Sequence, residues 1–136
     1  MRALLLELFT WWNSETMGTR LFTKRHGELV GTDQFGNKYY RTKGGAKDPT
    51  VGFQRRWVIY NGEAEASAIP PGWHGWIHHK VDTPPTEENY KPHPWEIEHR
   101  SNPTGTPLAY RPQGSLLRDG QRPKVTGDYD AWTPGA

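Results

Sequence analysis

The sequence predicts a mostly β chain with much irregular structure, and three features of its composition lead to that class. The hydrophobic share is 33%, below the ~45–50% of ordinary globular chains. The chain carries 15 glycines and 12 prolines among 136 residues, which is typical of irregular segments. It also carries seven Trp and six Tyr, whereas disordered chains are poor in aromatic residues. The combination predicts a small ordered core with extended arms that bind a partner through aromatic side chains.

The elements expected are an N-terminal amphipathic helix, a three- to four-stranded antiparallel sheet, a short Trp/His helix and a long extended Pro-rich C-terminal arm. We place the helix in residues 1–14, the small antiparallel β core with the short helix in residues 15–80, and the partner-binding arm in residues 81–136.

The N-terminal segment has apolar residues at helical spacing that would form one face of a helix. These residues are Leu4, Leu5, Leu8, Phe9 and Trp12. Because so short a helix is marginal in water, we expect the face to pack on its own domain or on a partner subunit. Contact with a lipid interface is the weaker alternative, since the polar face is not rich in Lys and Arg. The run is shorter than the ~20 residues that span a bilayer and resembles neither a secretory signal nor a transit peptide.

A tight hairpin at residues 30–41 is the clearest local structure in the sequence. Asp33 can accept hydrogen bonds from the backbone that follows it, and Gly36 and Asn37 tolerate the positive φ of a turn. We assign these polar residues a geometric role and no ligand.

Strand candidates surround this hairpin, and the last of them is the strongest because β-branched and aromatic residues end at an Asn-Gly turn. The candidates are residues 19–24, 28–31, 38–42 and 54–60. In the last strand, alternation predicts Trp57 and Ile59 on one face, and Arg56, Val58 and Tyr60 on the other.

The short helix follows Pro70-Pro71, because proline suits the first turn of a helix. Trp73, Trp76 and Ile77 would share one face of it. His74 and His78 stand at i and i+4, and together with His79 and Asp82 they form the only candidate metal cluster in the sequence. No Glu follows the first His and no third ligand converges, so we expect no metal there. We expect these histidines to bond backbone carbonyls or partner groups.

The C-terminal arm contains nine of the twelve prolines and shows no sustained periodicity. Proline lacks the backbone donor that a strand ladder needs, so the arm is either disordered or laid in extended form across a larger surface. Trp95, Tyr110 and Trp132, spaced along it, favour the second alternative.

The chemistry of the residue set argues against an enzyme. The absence of cysteine excludes disulfides, thiol nucleophiles and Cys-ligated zinc or iron–sulfur clusters. No serine lies in a nucleophile-elbow context, and no glycine loop has phosphate-binding spacing. We therefore expect no catalytic, cofactor-binding or metal-binding residue.

A single-stranded nucleic-acid-binding module is the alternative from a different class. Stacking on aromatic side chains and pairing with basic ones could come from Arg55, Arg56, Trp57, Tyr60, Tyr39 and Tyr40. The net charge of only +2 and the acidic arm argue against it.

A set of ordered motifs carries a family resemblance from about residue 5 to about residue 112. They are Phe9-Thr10-Trp11-Trp12, Gly18-Thr19, Gly31-Thr32-Asp33, Gly36-Asn37-Lys38-Tyr39-Tyr40, Arg56-Trp57-Val58-Ile59-Tyr60, Pro70-Pro71-Gly72-Trp73-His74-Gly75-Trp76-Ile77-His78, Asp82-Thr83-Pro84-Pro85, Trp95, His99, Asn102-Pro103-Thr104-Gly105-Thr106 and Tyr110-Arg111-Pro112. With these motifs the chain resembles the alpha-subcomplex subunit 12 family, accessory subunits of respiratory complex I (NADH:ubiquinone oxidoreductase).

The resemblance implies a non-catalytic accessory subunit that stabilises the peripheral arm of complex I near its junction with the membrane arm. The FMN and iron–sulfur clusters would belong to the complex and none to this chain. Its partners would be core subunits of the peripheral arm, including iron–sulfur and quinone-site subunits, with no nucleic acid and at most peripheral membrane contact. The chain would be associated with the inner membrane, on the cytoplasmic side if bacterial (favoured) or on the matrix side if mitochondrial. An assembly factor of the same family is the alternative role.

The residues predicted to contact these partners are mostly aromatic. They are Trp11, Trp12, Trp73, His74, Trp76, His78, Trp95, His99, Tyr110 and Trp132. We expect the arm to act as a staple that buries Trp and Tyr side chains in pockets on the core subunits.

Overall fold

A computed structural model describes residues 14–118, 120, 127, 132, 134 and 135. The elements are helix α1 (Met17–His26), strands β1 (Gly27–Thr32), β2 (Lys38–Thr42) and β3 (Arg56–Ile59), and helix α2 (Pro71–Ile77), with 3₁₀ turns at Lys43–Gly45 and Ala66–Ala68. This order confirms the predicted class, a mostly β chain with much irregular structure. The helix expected at the N-terminus lies almost entirely outside the described residues.

The chain forms two compact units, Met1–Asn102 and Pro103–Ala136. The sheet and both described helices belong to the first unit, which continues past residue 80 and includes the start of the Pro-rich segment. In the second unit the described residues form a succession of turns, such as those closed by Thr106 N donating to the Pro103 carbonyl (2.9 Å) and Ser115 N donating to the Pro112 carbonyl (3.0 Å).

The hairpin between β1 and β2 is built on the Asp33 carboxylate, as the sequence predicts. Its Oδ1 accepts hydrogen bonds from the backbone N–H groups of Phe35 and Asn37, both at 2.9 Å. Gly36 has the positive φ of the turn, +85°. Asp33 therefore organises the turn through the backbone that follows it.

Asn37 does not have the positive φ that we expected, since the described non-glycine residues with positive φ are Ser14 and His79. It is buried and its side chain joins three segments of chain. Its Nδ2 donates to Asp33 Oδ2 (2.9 Å) and to the Ala68 carbonyl (3.3 Å), and its Oδ1 accepts from Asn61 N (2.9 Å). Such a buried amide must be fully hydrogen-bonded, and this demand sets its conformation.

The three strands form an antiparallel sheet in the order β1-β2-β3. Tyr39 and Tyr40 of β2 are opposite Val58 and Trp57 of β3, respectively, and β1 has a bulge between Leu29 and Gly31. The two faces of β3 divide as predicted. Trp57 faces α1, whereas Val58 packs on the core that α2 forms with the sheet.

Helix α1 corrects the strand predicted for residues 19–24. The alternation of Thr, Leu and Phe there is compatible with a strand, but capping and packing favour a helix. The Thr16 side chain accepts a bond from Thr19 N (3.2 Å) at the start, and three basic residues occupy the last turn, where they complement the helix dipole. Thr23 is buried and accepts a bond from the Trp57 indole N–H (3.1 Å).

Helix α2 begins at Pro71, as predicted, and its apolar face completes the core. Trp73 and Trp76 are buried together with Tyr39 of the sheet and Ile69. The Tyr39 and Trp73 rings are stacked with centroids 3.9 Å apart and planes 4° apart. The Tyr39 hydroxyl donates to Asp33 Oδ2 (2.8 Å), so one side chain links the hairpin turn to the core.

The bulge of β1 places Gly31 directly against this core, and a substitution there tests the packing. A Cβ at position 31 would lie 2.6 Å from Thr86 Cγ2 and 2.9 Å from Trp73 Cη2. Gly31→Ala is therefore expected to lower the free energy of unfolding by about 1–3 kcal/mol, measured by urea denaturation. Gly18→Ala in α1 is the matched control, since its nearest neighbour lies at 3.9 Å, and it should leave stability unchanged or raise it by up to ~1 kcal/mol. Equal losses in both variants would contradict this packing.

The buried Tyr39 hydroxyl gives a second prediction, for alkaline pH. Burial and then the hydrogen bond to Asp33 raise the pKa of Tyr39 well above its ordinary value of 10.0. Above pH 10 the unfolded chain loses this proton and the folded chain keeps it, so stability falls as pH rises. Tyr39→Phe should reduce that fall by a total of about 1.4 kcal/mol between pH 9 and 11, measured by urea denaturation across that range. An unchanged slope would show that Tyr39 is not held protonated.

Candidate partner interface

Residues 81–102 have neither helix nor strand, yet side chains of the sheet unit hold this segment in place. Arg56 at the start of β3 donates through Nη1 to the carbonyl oxygens of Trp76 (2.6 Å) and Val81 (3.0 Å). Its Nη2 lies 2.9 Å from the Asp82 carboxylate. At the far end of the segment, Asn102 N donates to Ser67 Oγ (2.9 Å). The first part of the predicted arm therefore packs on its own domain.

A groove of about 920 Å³ lies between the start of α2 and this segment. Its lining is mostly apolar, and the polar side chains among its residues include two carboxylates. The lining residues are Gln34, Pro71, Gly72, Trp73, Pro85, Glu88, Tyr90, Pro92, Trp95, Glu96, Ile97 and His99. An apolar groove with a few polar groups is the usual form of a binding site.

Trp95 is the most prominent aromatic side chain at this groove, with 76% of its surface exposed. Its ring stacks on that of His93, with centroids 5.2 Å apart and planes 6° apart. The Tyr90 hydroxyl donates to the Glu96 carboxylate and closes the loop that carries Trp95. This bond raises the pKa of Tyr90. The loop thus presents an exposed indole whose orientation is set by its own neighbours.

His99 closes the far side of the groove. Its Nε2 lies 2.9 Å from the Ser67 carbonyl oxygen, and its ring makes an edge contact with Phe35 at 5.9 Å. His74 on α2 and His78, which caps its end, are both exposed, with ring centroids 4.4 Å apart. All three histidines line a second cavity, of about 460 Å³.

The structure separates the other predicted interface residues into different environments. Trp73 and Trp76 are only 4% and 1% exposed, because their face of α2 packs on the sheet. They are core residues in this fold and have almost no surface to offer a partner. Tyr110 and Trp132 are 86% and 78% exposed. Trp11 and Trp12 lie outside the described residues.

The sequence did not single out several exposed apolar residues of the same segments. Ile97 is close to Trp95 at the groove, and Leu108, Leu116 and Leu117 are also largely exposed. The sequence did contain a signal for Ile97, because it stands two positions after Trp95 in a Pro-rich stretch. Alternation along an extended chain places two such side chains on the same side.

Several residues of the two alternative sites, the His/Asp metal cluster and the nucleic-acid-binding surface, already contact other residues of the fold. Asp82 pairs with Arg56, and the His79 ring packs on Phe53 at 4.3 Å; burial and the nearby Arg56 lower the His79 pKa. In the part of the chain that the structure describes, no three His, Cys, Asp or Glu residues could hold a metal ion. Of the aromatic residues proposed for nucleic-acid stacking, Tyr39 is fully buried and Tyr40 stacks on Trp57 at 6.0 Å.

The comparison with known proteins agrees with the resemblance seen in the motifs. The family model for NADH ubiquinone oxidoreductase subunit NDUFA12 matches residues 27–134. A protein of Arabidopsis thaliana named probable NADH dehydrogenase [ubiquinone] 1 alpha subcomplex subunit 12 is 38% identical over 125 residues, which cover 86% of this chain and 75% of that protein.

Two further relatives carry the same subunit name. The protein of Bos taurus is 39% identical over 106 residues, covering 69% of this chain and 68% of the relative. The protein of Dictyostelium discoideum is 36% identical over 95 residues, covering 68% and 65%. The chain thus belongs to the NDUFA12 family of NADH ubiquinone oxidoreductase subunits.

Proposed function

We propose that this chain is a non-catalytic accessory subunit of respiratory complex I that stabilises the peripheral arm near its junction with the membrane arm. The observation that carries the proposal is the family match over residues 27–134, together with relatives named as alpha subcomplex subunits of NADH dehydrogenase. The chain holds no redox centre of its own in this proposal. Core subunits of the peripheral arm, including iron–sulfur and quinone-site subunits, are its partners.

The distribution of apolar side chains supports a role in assembly. Trp95, Ile97, Leu108, Tyr110 and Leu116 each expose three quarters or more of their surface. Trp95 and Ile97 line the same groove, and exposed apolar side chains that share a concave surface are typical of interaction sites. Trp and Tyr are also the residues that most often carry the binding energy of an interface.

The form of residues 103–118 supports binding as a staple. Successive turns at Pro103, Thr106, Pro112 and Ser115 bond to the backbone three residues ahead, and Leu108 and Tyr110 stand exposed between them. Turns and prolines reduce the number of conformations that the segment loses on binding. Part of the conformational entropy that binding would cost is therefore already lost in the free chain.

We further propose that the chain is held at the membrane through these partners, on the cytoplasmic side in a bacterium or the matrix side in a mitochondrion. No helix among the described residues is long and apolar enough to cross a bilayer. The proposal of a permanent subunit differs from that of a temporary assembly factor in one observable, retention in the mature complex.

Truncation of the exposed indole at residue 95 tests the interface. Trp95→Ala should leave the fold intact, because the ring is 76% exposed, and should weaken binding to complex I by about 2 kcal/mol, or ~30-fold. The measurement is the amount of tagged chain that co-purifies with active, detergent-solubilised complex I from cells lacking the wild-type chain. Leu21→Ala in α1, also exposed, is the control and should co-purify as the wild type does. Absence of the wild-type chain from mature complex I would contradict the proposal, and equal recovery of the Trp95 variant would remove Trp95 from the interface.

Hydrogen exchange tests the staple. In the isolated full chain, the amides of β2 and β3 should be protected, and those of residues 103–118 should exchange rapidly because their described bonds are single turns at the surface. In purified complex I the same residues should gain protection of at least about tenfold, since ordered burial closes them to solvent. Equal protection of both regions in the isolated chain would contradict the staple.

A further inference from the structure

One end of the sheet collects an excess of basic side chains. Helix α1 ends, β1 begins, β2 ends and β3 begins at this end, because Gly27 pairs with Thr42 and Thr42 N bonds to the Arg55 carbonyl (3.0 Å). We define the basic end as five exposed residues, four at or next to these termini and the fifth, Lys80, next to Val81, whose carbonyl oxygen accepts a bond from Arg56 at the start of β3. They are Lys24, Arg25, Lys43, Lys47 and Lys80.

Neighbouring carboxylates neutralise only part of the positive charge at this end. Among residues 14–102, three of the acidic side chains near these termini are each paired with an arginine outside the five. The pairs are Glu28 with Arg41, Asp48 with Arg55, and Asp82 with Arg56. Glu87 also interacts electrostatically with Arg41, so the basic end keeps a charge excess of about four, which creates a strong local potential.

Hydrogen bonds fix the relative positions of part of this cluster. Lys43 Nζ donates to the carbonyl oxygens of Lys24 (3.1 Å) and Arg25 (3.4 Å) at the end of α1. The backbones of Lys47 and Gln54 pair in an isolated antiparallel β-bridge. The chain between them is therefore a second short hairpin, which extends β2 and β3. These contacts keep the last turn of α1 and the base of the hairpin together.

The tip of that hairpin carries apolar side chains instead of charges. Asp48 N donates to the Phe53 carbonyl (3.0 Å) and Gly52 N to the Asp48 carbonyl (2.8 Å), which closes the turn. Val51 and Phe53 remain 44% and 47% exposed. One face of the Phe53 ring contacts His79. The tip is thus a small apolar projection bordered by lysines.

The other end of the sheet has the opposite sign. Glu63 and Glu65 follow β3 there and are exposed, and the contact between His99 and Phe35 brings the acidic segment of Glu96 and Glu98 to the same end. The first unit is therefore polarised along the strands, with the apolar projection at its positive end.

We propose that the basic end and the Val51–Phe53 tip form a binding surface for anionic phospholipid headgroups. Each lysine close to an anionic bilayer is attracted by the surface potential of the bilayer. An apolar tip bordered by basic residues can enter the interfacial region while those basic residues bind the lipid phosphates. A nucleic acid would bind the charges, but it would leave Val51 without a role. This inference goes beyond the proposed function, and its test does not require complex I.

The test is co-sedimentation of the purified full chain with vesicles. Binding is expected to vesicles of equimolar phosphatidylcholine and phosphatidylglycerol, and none to vesicles of phosphatidylcholine alone. Lys24→Gln/Lys47→Gln should weaken binding by about tenfold or more. The matched control Lys38→Gln/Lys91→Gln removes the same charge from exposed positions outside the basic end and should bind as the wild type does.

A second variant tests the apolar tip without changing the charge. Val51→Asn should weaken binding to the anionic vesicles several-fold, whereas Ile97→Asn should not change it. Circular dichroism of each variant confirms that the fold is retained. The proposal is overturned if the chain binds neither kind of vesicle, binds both equally, or loses the same affinity in both double variants. Binding to single-stranded DNA or polyglutamate but not to anionic vesicles would likewise overturn it.

Discussion

The stack of Tyr39 on Trp73 is the interaction on which the rest of the structure depends. Its parallel rings, 3.9 Å apart, join the middle strand of the sheet to α2, and the Tyr39 hydroxyl continues the link to the Asp33 carboxylate in the hairpin turn. A three-stranded sheet needs an apolar face or packing against a helix to be stable, and here α2 supplies that packing. Gly31 is required by the same stack, because a side chain there would overlap Trp73 and Thr86. The turn, the bulge and the helix are therefore one cooperative unit.

The parts of the fold that local chemistry determines could be predicted from the sequence. The Asp33 turn, β2 and the Pro-initiated α2 each follow from backbone preferences of a few adjacent residues. Helix α1 was predicted as a strand because its alternation of Thr, Leu and Phe is equally compatible with both structures. The Thr16 cap is a local feature of the helix, whereas the bond between Thr23 and Trp57 joins residues 34 positions apart. A pairing at that distance in sequence leaves no local signal.

Contacts between residues distant in sequence also decide which parts of the candidate site could be predicted. The aromatic residues are the unusual feature of the composition, but composition does not distinguish a core Trp from a surface Trp. Trp73 and Trp76 follow helical spacing on an apolar face and pack inside the domain. Trp95 is flanked by proline and stacks on His93, yet most of its surface stays exposed. The anchoring of residues 81–102 by Arg56 could not be foreseen, because it depends on three backbone and side-chain acceptors that only the fold brings together.

The balance between buried and exposed apolar side chains makes folding and assembly interdependent. Among the described residues the fully buried apolar core is small, and more large apolar side chains are exposed than buried. A domain of this size buries a modest fraction of its surface, so its own stability is limited. A partner that covers the exposed side chains binds only the folded form and stabilises it by mass action. The amount of folded chain should then follow the supply of partner surface, which couples the accumulation of such a subunit to that of the complex it joins.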